Sequence, residues 1–181
     1  MRLLAVVSRV RGVEGLLMSL RPLQRAHQGY VYNARDVFDE YGDMILRLAL
    51  ANVGASDACD ILQDVMLRLL QNHKPFREQE HLKAWLIRVT INLSRDHKKN
   101  HHNRNLPLDD FASLVIEPEQ QELLDALGQL GDKDRQVIYL HYFEGYSCPE
   151  IAKLLASKHS TIISRLGRAR AKLKSILQGE V

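Results

Sequence analysis

The stretch "CPEIAKLLASKHSTIISRLGRARAKL", Cys148 to Leu173, decides how this chain is read. Two short apolar-periodic segments, Pro149 to Leu155 and Ser160 to about Leu177, are separated by "ASKH". Pro149 is tolerated in a helix's first turn, where its missing N–H costs nothing. Small Ala152 lets a second helix cross closely, and Ile162 faces back into the pair. This layout predicts a helix-turn-helix. In the second segment Ile162, Leu166, Ala169, Leu173 and Ile176 step by four, three, four and three, which is the core face of an amphipathic helix. Arg165, Arg168 and Lys172 form a ridge off that face, with Thr161 and Ser164 near the helix start. Helices that enter the major groove use N-terminal side chains on base edges and Arg or Lys along their length on phosphates. A solvated surface helix usually mixes signs, and Ser160 to Lys174 holds five cations and no acid. DNA binding explains the paired helices better than a solvated face or a membrane-surface helix does.

Working upstream, Gln120 to Leu130 predicts an opening helix with Leu123, Leu124, Leu127 and Leu130. Asp132 is read as the cap of the next helix, which carries Val137, Ile138 and Leu140 and breaks at Gly145. From Asn105 to Leu127 the charge turns acidic: Asp109, Asp110, Glu117, Glu119, Glu122 and Asp125 appear with no Lys or Arg. Pro107 and Pro118 discourage continuous helix there, so residues 104–119 read as an acidic linker. Before it, "SRDHKKNHHNRN" gathers Arg95, Lys98, Lys99 and Arg104 into a basic edge opposed only by Asp96.

The first half also reads as helices, because apolar residues recur at three and four rather than alternating. A helix from Ala34 to Val53 places Phe38, Tyr41, Ile45, Leu48 and Ala49 on one face and stops at Gly54. A second starts at Ser56 as its cap, with Asp57 and Asp60 at the positive dipole end and Ile61, Val65, Met66 and Leu69 as its buried stripe. A third, Gln79 to Lys98, sets Leu82, Trp85, Leu86, Val89 and Leu93 against Lys83, Arg88, Asn92 and Arg95. The expected fold is all-α: two small helical domains, 34–103 and 120–178, joined by the acidic linker.

Composition narrows the function. The chain has 181 residues and a net charge of +3, and no run of about 20 apolar residues suggests a membrane span. Cys59 and Cys148 stand far apart and read as two reduced thiols, giving an expectation of a cytoplasmic protein. No phosphate-cradling loop, nucleophile elbow, HExxH or CxxC occurs, so no catalytic residue is assigned and the chain is not read as an enzyme. His97 and His101 have helical i,i+4 spacing, but the cations around them repel a divalent ion. No metal or other cofactor is expected. Residues 1–33 form an Arg-rich leader, read as flexible and given no function.

Beyond these physical readings, "DILQDVMLRLL" (60–70), "HLKAWLIRVTINLSRDHKK" (81–99) and the segment from Leu127 to Leu173 resemble bacterial RNA polymerase sigma factors of the extracytoplasmic-function (ECF) type. The resemblance implies that Asp60, Gln63 and Asp64 dock on the polymerase clamp. It implies a minus-ten and melting surface of Lys83, Trp85, Arg88, Asn92, Arg95, Asp96, Lys98 and Lys99. It assigns Thr161, Ser164, Arg165, Arg168 and Lys172 to the minus-thirty-five element, and it runs the acidic linker through a polymerase channel. The partners implied are core RNA polymerase, promoter DNA and, for many members, an anti-sigma factor, with a monomer when free and no membrane partner. Four positions depart from the common pattern: Ser160 stands for Gly, Ile163 for Lys, Thr90 for Ala and Lys99 for Arg. The alternative function is a stand-alone helix-turn-helix regulator with a helical sensor domain, which would bind duplex DNA alone as a dimer.

Overall fold

The computed structural model describes residues 30–53, 55–100 and 125–178. The chain divides into two compact units, Met1–Val115 and Ile116–Val181. Among the described residues all regular structure is helical, with one isolated antiparallel bridge between Tyr30 and Phe76. None of those helices is long and apolar enough to cross a membrane.

Three helices build the first unit: α1 (Ala34–Leu50), α2 (Ala55–Gln71) and α3 (Gln79–Asn100). Each packs on the other two. Asn33 caps α1, its side chain accepting from the Arg35 amide at 2.9 Å. The helix ends at Leu50 rather than Val53, because the Asn52 side chain donates to the Leu48 carbonyl at 2.6 Å. That carbonyl would otherwise take the residue-52 backbone amide, which bonds instead to Ala49 at 2.8 Å. Helix α2 begins one residue before Ser56, so Ser56 lies inside the first turn and is not the cap. The expected stop at Gly54 lies outside the described residues.

The predicted α1 and α2 stripes are all buried, but the core is wider than one stripe per helix. Val37, Met44 and Leu46 join it from α1, and Ala58 and Leu62 from α2. In α3 the buried set is Leu82, Leu86, Ile87, Thr90, Ile91, Leu93 and Ser94, whereas Trp85 and Val89 are only half-buried. A helix wedged between two partners needs two apolar flanks, and 3.6-residue periodicity alone does not reveal the second. Thr90 and Ser94 are tolerated there because each hydroxyl donates to the carbonyl four residues back, at 2.8 and 2.9 Å.

In the second unit a helical turn over 125–128 precedes α4 (Asp132–Tyr142), α5 (Cys148–Leu154) and α6 (His159–Leu177). Leu123 and Leu124 lie outside the described residues, while Leu127 and Leu130 are buried as expected. Asp132 is not a cap: Gly131 occupies that position, and Asp132 opens the first turn with its carboxylate 3.7 Å from Arg135. Helix α4 ends at Tyr142, and Gly145 turns the chain at φ +74°, a conformation that costs glycine little. A capping box then starts α5, the Glu150 carboxylate accepting from the Ser147 amide at 2.8 Å.

The α5–α6 turn closes with the Ser157 amide on the Ala152 carbonyl at 2.9 Å and the Ala156 amide on Lys153 at 3.4 Å. This is a Schellman ending with Ala156 in the left-handed position at φ +48°, where glycine is the usual residue. Ile151, Ala152 and Leu154 of α5 meet Ile162, Leu166 and Ala169 of α6 in the core, which is the predicted helix-turn-helix.

Candidate nucleic-acid interface

Two exposed helix faces carry the predicted nucleic-acid residues, one in each unit. On α3, Trp85, Arg88, Asn92, Arg95 and Lys99 follow at three, four, three and four, forming one ridge. Arg88, Asn92, Arg95 and Lys99 are exposed along it, with exposed Asp96 at its edge. Local contacts set these side chains: Arg88 Nε donates to the Ala84 carbonyl at 3.2 Å, and Arg95 donates to Asn92 Oδ1 at 3.1 Å. Arg95 also pairs with Asp96 at 3.8 Å, a solvent-exposed contact that leaves its charge available.

Lys83 is placed apart from the other predicted residues of α3. It shares the side of α3 that carries buried Ile87, Thr90 and Ser94, at spacings of four, three and four, and is half-buried away from the ridge. Lys98 is half-buried too and stands off the ridge line. Arg104, His101 and the linker acids Asp109, Asp110, Glu117 and Glu119 lie outside the described residues. Among the described residues no His, Cys, Asp and Glu cluster could hold a metal.

Sequence reasoning missed Phe76. It is 2 % exposed, and its backbone carbonyl accepts from the Tyr30 amide at 2.7 Å. Its ring meets Trp85 edge-on at 5.5 Å, and Tyr32 and His81 also at 5.5 Å. Such ring contacts fix the indole at the start of the ridge and leave it half-buried. The signal was weak because Phe76 sits outside any helix, next to Pro75.

On α2, Asp60 is exposed and Gln63 and Asp64 half-buried on the side away from the bundle core. Leu67, also unpredicted, joins them at 37 % exposure, spaced three from Asp64. An outward leucine at the C-terminal end of the Asp60–Asp64 stretch extends an acidic stripe with an apolar residue. Burial raises the pKa of the neighbouring Cys59 thiol, with Asp60 adding to the shift, so this cysteine is a poor nucleophile.

On α6, buried Ile162, Leu166 and Ala169 fix the rotation of the helix. Ser160, Ser164, Gly167 and Ala171 then point outward, with Thr161, Arg165 and Arg168 on one flank and Ile163 and Arg170 on the other. Ser164 and Arg168 are exposed, whereas Thr161 and Arg165 are partly covered. Lys172 is engaged elsewhere, its Nζ donating to the Gln129 carbonyl at 2.9 Å. It ties α6 to the turn before α4.

Arg135 braces the segment before α4, and sequence reading passed it over. Only 8 % exposed, it donates to the carbonyls of Leu127, Gly128 and Leu130 at 2.6, 2.8 and 2.6 Å. These carbonyls lie at and just after the end of the 125–128 turn, where helical acceptors run out of partners, although that of Leu127 also takes the Leu130 amide at 3.1 Å. Burial lowers its pKa, and Asp132 opposes that shift.

Both helix faces fall within regions that family models match. Sigma-70 region 2 matches residues 37–104, and Sigma-70 region 4 matches 120–173. The ECF RNA polymerase sigma factor SigL of Mycobacterium tuberculosis is 30% identical over 156 residues, covering 80% of this chain and 88% of SigL. The chain belongs to the ECF RNA polymerase sigma factors. The RNA polymerase sigma factor NccH of Alcaligenes xylosoxydans xylosoxydans is 29% identical over 171 residues, 86% of this sigma factor and 92% of NccH. In fold, the sigma factor resembles RpoE of Bartonella quintana, solved with the anti-sigma factor NepR, at TM-score 0.62 and 22% identity over 80% of this chain and 98% of that one. CnrH, solved with the cytosolic domain of CnrY, gives TM-score 0.57 and 24% identity over 82% of this chain and 89% of that one. A sigma factor is a DNA-binding regulatory subunit, so the two exposed faces belong to a protein of transcription initiation.

Proposed function

We propose that the sigma factor uses its two units on two separate DNA elements while held by core RNA polymerase. Residues 34–103 form the clamp-binding and minus-ten domain, 104–119 the linker and 120–178 the upstream-element domain. The observation that carries this is the pair of cationic faces, on α3 and α6, in the order of the two matched regions. Asp60, Gln63 and Asp64, with Leu67 one turn further along, dock on the polymerase. Along α3, Arg88, Arg95 and Lys99 neutralise the phosphates of a melted strand, and Trp85 and Asn92 face its bases. Along α6, Thr161, Ser164, Arg165 and Arg168 meet duplex DNA. The protein performs no catalysis of its own and works in the cytoplasm. An anti-sigma factor is a further partner in this reading, supported by RpoE having been solved with the anti-sigma factor NepR.

Run-off transcription tests this reading. Core enzyme plus the full chain is expected to start at discrete sites on a promoter library. Absence of any start that depends on the chain, or tight dimeric binding to duplex DNA without polymerase, would refute it.

A further inference from the structure

The least explained side chain on α6 is Ile163. Its neighbour Ile162 is fully buried and satisfies the core, so Ile163 is turned outward at 51 % exposure. A β-branched aliphatic residue gains nothing from water there and slightly disfavours the helix. Beside it the outward strip is small, and a Cβ added at Gly167 would meet nothing within 4 Å. Backbone and Ile163 therefore approach a flat surface with little in between. Arg165 and Arg168 lie on one flank and exposed Arg170 on the other, positioned for the phosphates that border a groove.

What Ile163 offers a base edge is restricted. It has no donor or acceptor, so it cannot read guanine, adenine or the cytosine amine, nor can it bind a phosphate. The one apolar group that the major groove presents is the C5-methyl of thymine. We propose that Ile163 is a specificity-determining residue of this sigma factor, packing on a thymine methyl in the upstream element. This rests on the reading of α6 as the upstream DNA-reading helix, and the test separates the two.

Holoenzyme built from the full chain selects upstream elements from a randomised duplex library. Each thymine of the selected element is then replaced by deoxyuridine, which removes only the methyl. At one position the wild-type holoenzyme is expected to lose about fourfold in affinity, the scale of one buried methyl group. The Ile163→Ala holoenzyme should bind thymine and uracil there within a small factor of each other. Ile163→Lys should select a different base at that position. If uracil is accepted at every thymine by wild type, or Ile163→Ala loses as much as wild type, the thymine contact is overturned while DNA binding by α6 stands. Selection of no upstream element, with Arg165→Ala indistinguishable from wild type, would overturn the DNA reading of α6 and this inference with it.

Discussion

Helices α3 and α6 both present cations to solvent, yet they are held in opposite ways. Helix α3 is a core helix that lends out one ridge: seven of its residues are buried, two of them polar and satisfied within the helix. Helix α6 is a presented helix, with buried residues only at Ile162, Leu166 and Ala169. In the proposed function the first is a rigid wall for a single strand, its Trp85 fixed by Phe76. The second suits insertion into a groove, where a broad outward surface is needed and few side chains remain to anchor it. Stability in the second unit therefore leans on a polar device, Arg135, that the first unit does not need.

Removing that device should give the largest effect. Arg135→Ala removes a buried side-chain donor from three carbonyls, one of which keeps a backbone amide, and should destabilise the second unit by about 3 kcal/mol. Trp85 is the chain's only tryptophan and lies in the first unit. Urea unfolding followed by circular dichroism should therefore shift, while the Trp85 fluorescence transition stays in place. The counterpart Leu86→Ala should do the reverse, moving the fluorescence transition by about 3 kcal/mol through the cavity it creates. Equal shifts of both signals in either variant would dissolve the comparison.

Exposed ridge residues should act on DNA rather than on stability. Arg165→Ala is expected to weaken holoenzyme binding to the upstream element about tenfold, with unfolding changed by less than about 0.5 kcal/mol. A smaller effect comes from the helix-turn-helix itself. Ala156 pays for a left-handed conformation, so Ala156→Gly should raise the stability of the second unit by about 0.5 kcal/mol, measured by urea unfolding.

The smallest effect depends on pH. Hydrogen bonds from Ser147 hold the Glu150 carboxyl below its ordinary pKa. Its stabilisation is present above the unfolded-state pKa and disappears as pH falls through the lowered folded value. Thermal unfolding of wild type should thus approach that of Glu150→Gln in acid and diverge from it near neutrality; curves that stay parallel would contradict the capping role.

Much of this was legible in the sequence, for identifiable reasons. Three-and-four periodicity located α1, α2, α3 and the helix-turn-helix, and the cationic ridges followed from the same spacing. The errors arose where a residue's meaning depends on a distant partner. Arg135, in "DKDRQV", reads as ordinary surface charge until the 125–128 turn is brought above it. The place of Lys83 off the ridge is not visible from a single stripe, which hides α3's second packed side. Asp132 was taken for a cap by residue type, but Gly131 already had the extended backbone that a cap requires. Phe76 lacked any periodic context.

Footprinting of the holoenzyme on one promoter, combined with permanganate probing of unpaired thymines, tests the division of labour most directly. Arg165→Ala is predicted to lose upstream protection while the reactive thymines, where a complex forms, remain those of wild type. Arg95→Ala is predicted to keep upstream protection and lose thymine reactivity near the start site. Loss of both signals together in each variant, or of neither, would contradict the account of two helix faces serving two separate DNA elements.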